Sequence, residues 1–186
     1  MESLDKVPSI NDSSIEQEPD SMIVVVKPDA RDRLQEIISR FEKDGLQIEK
    51  QITTILEPTF VNGIMYQYPH PDSELGEDIE DEKFVKNRGA QFESAKHFLQ
   101  GPSTILLLRG DKNIIDKVIK ITGLDREPAK CDEDSIRHLF GEHTGYPMAG
   151  LNDVYYRNAI HRGKNTEEVN SDKKKFSKLL NINFFE

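Results

Sequence analysis

Asn158 and His161 lie three residues apart in the segment Arg157-Asn158-Ala159-Ile160-His161-Arg162-Gly163. Imidazole is the side chain best suited to act as a nucleophile or proton carrier near neutral pH. An amide three residues before it can share its pocket if the backbone is extended or tightly turned. The other histidines, His70, His97, His138 and His143, have no such company and read as exposed or satisfied structural residues. The common phosphate and nucleophile motifs are missing. Gly163-Lys164 is preceded five residues earlier by Asn158 rather than glycine, no G-x-G-x-x-G follows an apolar strand, and no G-x-S-x-G occurs. One cysteine, Cys131, and scattered histidines give no metal-ligand spacing, so no protein metal site is expected. The acidic run Pro71–Glu82 does not follow the alternate-ligand template of a calcium loop and reads as a solvated loop.

The elements that would position such a site are visible as hydrophobic patterns. Met22–Val26 is a continuous β-branched run of strand length, stopped by Lys27-Pro28-Asp29. Leu34, Ile37, Ile38 and Phe41 recur at helical spacing, Gly45 ends that helix, and Leu46 opens a loosely alternating strand through Ile48, Ile52 and Thr54. A short helix is expected after Pro58 and another over residues 91–100. Thr104–Leu108 is the second strongly apolar strand. Asp111 then caps a helix whose buried stripe is Ile114, Ile115, Val118 and Ile119, ended by Gly123. A weak strand surrounds Ala159-Ile160, and helix signals resume from Glu167 to Leu180. This order predicts an α+β sandwich of ferredoxin-like βαββαβ topology: a four-stranded antiparallel sheet, helices on one face, and extra helices.

Length and charge narrow the function classes. A chain of 186 residues at 35% hydrophobic content suits about one domain. With 34 acidic against 25 basic residues its net charge is −9, which argues against nucleic acid or an anionic membrane as the main partner. No apolar run is long enough to span a bilayer, the first residues do not resemble a signal peptide, and a lone cysteine fits a reducing compartment. The sequence therefore reads as a cytoplasmic protein. Residues 1–21 read as a disordered acidic arm, 22–180 as the folded domain with an acidic insert about 71–83 and an inserted loop about 141–156, and 181–186 as an apolar tail.

Several stretches, taken in order, resemble one family. Val-Val-Val-Lys27-Pro28-Asp29, Gly101-Pro102-Ser103, Leu-Arg109-Gly110-Asp111, Ser-Ile-Arg137-His-Leu-Phe140-Gly141 and Asn158-Ala-Ile-His161 are similar to the nucleoside diphosphate kinases. The wording is closer to the divergent ciliary and axonemal branch than to the housekeeping enzymes. The resemblance implies transfer of a γ-phosphate from a nucleoside triphosphate to a nucleoside diphosphate through a phosphohistidine, with Mg²⁺ on the phosphates. It places the nucleophile at His161, a ribose and γ-phosphate contact at Lys27, a ribose contact at Asn158 and a phosphate-gripping arginine at Arg137. Tyr66 matches the tyrosine beside the histidine, with Tyr68 the other choice, and Phe92 the aromatic that stacks on the base.

The departures are equally specific. The family's second phosphate arginine falls at Ile119, with Lys120 beside it as a substitute, and its neighbouring threonine falls near Asp125 or Arg126. After the histidine comes Arg162-Gly163-Lys164-Asn165. The serine and glutamate that orient the histidine have no clear equivalents, and Lys175 or a neighbour stands where the glutamate belongs. Two readings stay open: a working or weak kinase, or a kinase-like structural or nucleotide-binding subunit of an axonemal or other cytoskeletal assembly, with oligomers allowed in either.

Overall fold

Ser21–Val26 is buried at every residue, as a strand covered on both faces must be, and forms β1 at the interior of the sheet. The computed structural model describes residues 20–57, 60–61, 97–98, 100–147 and 154–184. Most of the predicted acidic arm, the acidic insert, Tyr66, Tyr68 and Phe92 lie outside them.

β1 leads through a 3₁₀ turn at Pro28–Arg33 into α1, Leu34–Lys43, and then into β2, Gln47–Thr54. β3 is Ser103–Arg109, α2 is Ile114–Thr122 and α3 is Ile136–Phe140. A two-stranded hairpin of β4, Tyr146–Pro147, and β5, Val154–Tyr155, precedes β6, Ile160–Arg162, and α4, Thr166–Leu180. The main sheet has the order β2-β3-β1-β6 with every neighbour antiparallel, which is the expected ferredoxin-like arrangement.

Alternation along β1 divides the core in two. Met22, Val24 and Val26 meet Ile37 and Phe41 of α1 and Ile114 and Val118 of α2, so these two helices share one face as the sequence predicts. Ile23 and Val25 face the other way, into a cluster with Ile105, Leu107, Phe98 and Phe176. Phe176 belongs to α4, the extra helix, which covers this second face. Phe184 seats in the same cluster, so this part of the apolar tail packs on its own domain.

Local details differ from the sequence reading. β1 begins at Ser21, one residue before the predicted start, because Ser21 pairs with Arg109 across the sheet. In α2 the buried stripe is Ile114, Val118 and Ile121, while Ile115 and Ile119 are half-buried. The spacing i, i+4, i+7 wins because only one side of the helix meets the sheet. The N-cap of α2 is Asn113 rather than Asp111, whose carboxylate instead accepts from Asn113 N–H at 3.3 Å and Lys117 Nζ at 3.3 Å. At the base of the predicted inserted loop, Glu142 N–H donates to Arg157 O at 2.8 Å, and the Glu142 carboxylate accepts from the Tyr146 hydroxyl and the Arg157 guanidinium.

Candidate functional site

The site forms where β1 ends beside the entry to β6. Lys27, the first residue beyond β1, donates its backbone N–H to Ala159 O at 2.9 Å. Its side chain is buried, and Nζ donates to Asn158 Oδ1 at 2.7 Å while lying 5.0 Å from the centre of the Phe98 ring. Burial pulls the ammonium down to about 8; Asp29 opposes the fall and Arg137 adds to it. Asn158 is fixed at its other end, Nδ2 donating to Arg126 O at 3.1 Å.

Between Asn158 and His161 the chain makes a tight turn of the kind the sequence left open. Ala159 has φ +65°, and Ile160 N–H donates across it to Asn158 O at 2.7 Å. A γ-turn with positive φ at a residue bearing Cβ is strained and persists only where the surroundings dictate it. Here Asp29 Oδ2 accepts from Ala159 N–H at 3.1 Å.

His161 sits on β6 opposite Val25 and faces the second core, next to the Phe98 ring, with centroids 6.3 Å apart. Its Nε2 lies 3.2 Å from Oδ2 of Asp172 on α4, a carboxylate that is 2% exposed. A carboxylate only accepts, so Nε2 carries a proton and Nδ1 is the lone-pair nitrogen of the neutral ring. The carboxylate partner that sequence reasoning did not find is therefore present, three residues ahead of Lys175. Its signal was in the helix pattern: Asp172 lies with Val169 and Phe176 on the buried stripe of α4, where an acid requires a partner. Lys175 is half-buried nearby, its ammonium lowered by burial with Asp172 opposing.

Arg137 is brought to the same end of the sheet, but much of its guanidinium is engaged by backbone. It donates to the carbonyls of Gly123 at 3.3 Å, Leu124 at 3.5 Å, Asp125 at 2.8 Å and Ile160 at 3.4 Å. Its buried Nε has no partner among the described residues. Arg162, which sequence reasoning passed over, joins it: Nε donates to Thr122 Oγ1 at 2.9 Å and a terminal nitrogen to Gly123 O at 2.8 Å. Both cations cluster at the carboxyl end of α2, where carbonyls and the helix dipole favour positive charge. Burial, then the charge of Arg162, pulls Arg137 down to about 10, and burial lowers Arg162 as well. Both remain charged at neutral pH.

Lys120 is not brought to this group. Ile121 and Val118 turn inward, so Lys120 points outward into a separate cleft of about 640 Å³ between α1 and α2, with Arg40, Lys43 and Asp134. The Asp125 carboxylate accepts from Glu127 N–H at 2.9 Å. Among the described residues no three histidine, cysteine or acidic side chains form a metal cluster. Asp29 and Asp172 are already engaged, and the remaining character of the site is cationic, so it suits an anion rather than a bare metal ion.

No family model and no curated protein sequence matches the chain. Solved structures do. The nucleoside diphosphate kinase of Aquifex aeolicus superposes with TM-score 0.62 at 22% identity, over 84% of this chain and 94% of that one. An NDP kinase from Pyrobaculum aerophilum gives 0.64 at 23% identity, over 84% and 94%. The Borrelia burgdorferi enzyme, a transition-state mimic with bound vanadate and ADP, gives 0.63 at 19% identity, over 84% and 85%. At these identities the likeness is one of architecture, and the architecture of this chain is that of the nucleoside diphosphate kinases.

Proposed function

We propose that this protein moves the γ-phosphate of a nucleoside triphosphate to a nucleoside diphosphate by way of His161. The observation that carries the reading is the buried Asp172 carboxylate on His161 Nε2, which leaves Nδ1 as the attacking nitrogen. In the first half-reaction Nδ1 forms the N–P bond as the bond from phosphorus to the bridging oxygen breaks, and the diphosphate departs. In the second, a terminal oxygen of another diphosphate takes the phosphoryl group back, giving ping-pong kinetics. Asp172 would hold the ring and balance the positive charge that grows on it. Lys27, still largely cationic at neutral pH, would meet the γ-phosphate and the ribose, Asn158 the ribose, and Arg137 the phosphates. Tyr66 and Phe92 are assigned beside the histidine and against the base by resemblance. Mg²⁺ carried on the nucleotide's own phosphates would neutralise part of the charge that spreads during transfer.

A second reading is favoured by the carbonyl partners of Arg137 and by Ile119 standing where a second phosphate arginine is expected. In it the same fold is a weakly active or inactive module, retained as a nucleotide-binding or structural subunit. The resemblance suggests an axonemal setting, with the acidic arm, the insert about 71–83 and the inserted loop as contact surfaces. No helix among the described residues is long and apolar enough to cross a membrane.

Purified protein incubated with γ-labelled ATP and Mg²⁺ tests both. Acid-labile, alkali-stable label that is lost in His161→Gln supports the kinase. Absence of label with a thermal shift on adding ADP supports the second reading.

A further inference from the structure

We propose that His97 is a positioning residue: through Asp29 it holds the strained Ala159 turn from which Asn158 and His161 are presented. The functional consequence rests on the phosphohistidine reading, whereas the structural claim does not.

Asp29 divides its two oxygens between the turn and the histidine. Oδ2 accepts from Ala159 N–H at 3.1 Å, and Oδ1 lies 3.1 Å from His97 Nε2. Both side chains are under one-tenth exposed. The imidazole is held from its other side as well, Nδ1 lying 3.0 Å from Gln100 Oε1, and Tyr155 of β5 packs near its ring. Three hydrogen bonds hold the chain at Ala159 itself: Lys27 N–H to Ala159 O, Ile160 N–H to Asn158 O across it, and Ala159 N–H to Asp29. Only the last comes from a side chain, and a side chain can turn away unless something fixes it. His97 supplies that constraint. Among the described residues the charged and titratable groups around it are Asp29, with Lys27 beyond, and Tyr155.

Burial pushes the Asp29 carboxyl upward. The close contact with His97, the charge of Lys27 and the Ala159 N–H more than reverse this, and it stays below the ordinary carboxylate range. Asn158 precedes Ala159 by one residue and His161 follows it by two, so a shift of this turn moves the ribose contact and the nucleophile together. A displacement of about 1 Å at reacting atoms lowers turnover by roughly 10²-fold.

The test uses full-length His97→Leu, His97→Gln and Asp29→Asn. Three quantities are measured: Ala159 amide exchange, the ¹⁵N imidazole spectrum of His161, and the rate of labelling by γ-labelled ATP. His97→Leu is expected to speed Ala159 exchange about tenfold or more, to average the His161 tautomer signal, and to slow labelling by roughly 10–100-fold. His97→Gln, which keeps a donor for Asp29, should restore most of each. A folded His97→Leu protein with wild-type exchange and an unaltered His161 spectrum would overturn the proposal, as would a Gln variant no better than Leu. If His97→Leu does not fold, His97→Gln and Asp29→Asn decide, the Asn variant being expected to loosen the turn and the Gln variant to preserve it. If the wild-type protein takes no label, the kinase reading fails, and exchange with the nitrogen spectrum still judges His97.

Discussion

Oδ2 of Asp172, on the buried side of α4, lies 3.2 Å from Nε2 of His161 on β6. Partners that orient a functional histidine commonly contribute 10- to 100-fold to its task, and an amide in their place no longer specifies the tautomer. On the kinase proposal, Asp172→Asn should therefore slow phosphorylation of His161 by about 10–100-fold with little change in melting temperature. Single-turnover labelling measures it, and a wild-type rate would remove Asp172 from the mechanism.

Lys27 predicts a proton balance. Its ammonium sits at about 8 in the empty site, and an anionic phosphate would draw it back towards the ordinary value. Binding of ADP at pH 8 should take up about half a proton, falling towards zero near pH 6. Calorimetry in buffers of different ionisation enthalpy reads this directly. Lys27→Met should abolish the uptake, and persistence of the uptake in that variant would assign it elsewhere.

The same shift affects stability without ligand. Because the folded value lies below the unfolded one, the unfolded chain binds more protons between about pH 8 and 10.5. Stability must rise with pH across that window, by about 3 kcal/mol from this group alone. Urea unfolding of wild type and Lys27→Met at pH 7 and pH 10 should show the variant lacking that slope.

Asp29 acts in the opposite range. Its folded value is depressed, so its contribution is complete above the ordinary carboxylate value and is lost as pH falls through that value to the folded one. The stability advantage of wild type over Asp29→Asn should be constant from pH 5 to 7 and shrink below about pH 4. Denaturant titrations at pH 3, 4 and 6 check it, and an advantage that grows with acid would contradict the assignment.

Arg137 can be judged by the sign of one measurement. If its guanidinium served only a phosphate, removing this buried cation from the empty protein would be neutral or stabilising. Its carbonyl partners at Gly123, Asp125 and Ile160 predict the reverse. Arg137→Ala should destabilise the ligand-free protein by about 2–4 kcal/mol, measured by chemical denaturation.

The fold was legible because its information is local and periodic. Met22–Val26 and Thr104–Leu108 are apolar runs that only a covered sheet can accommodate, and Ile37, Phe41, Ile114 and Val118 mark faces by spacing alone. The site was legible in part. Lys27, Asn158, His161 and Arg137 are picked out by the sequence, and the structure gathers them at one end of the sheet. The Asp172 contact with His161 was not read from the sequence because an acid was sought at a fixed separation from the histidine, whereas a helix can supply one from the preceding turn of the same face. His97 reads in the sequence as a structural histidine, and its neighbour Asp29 stands 68 positions earlier, where no pattern within a window links the two. Lys120 lies apart from these residues because adjacency to Ile119 in sequence is about 100° of rotation on a helix.

The Lys27–Asn158 hydrogen bond joins positions 131 residues apart, and Ser21 is bound by Lys173 at a separation of 152. β1 lies inside the sheet, yet one of its two neighbours and the helix that covers its second face come from the last stretch of folded chain. Closing so long a loop is slow, and until it closes one edge of β1 and half of the hydrophobic core stay uncovered. During synthesis the lysine therefore leaves the ribosome long before the groups that give it a role. The Lys27–Asn158 and His161–Asp172 pairs can therefore form only after β6 and α4 have been made.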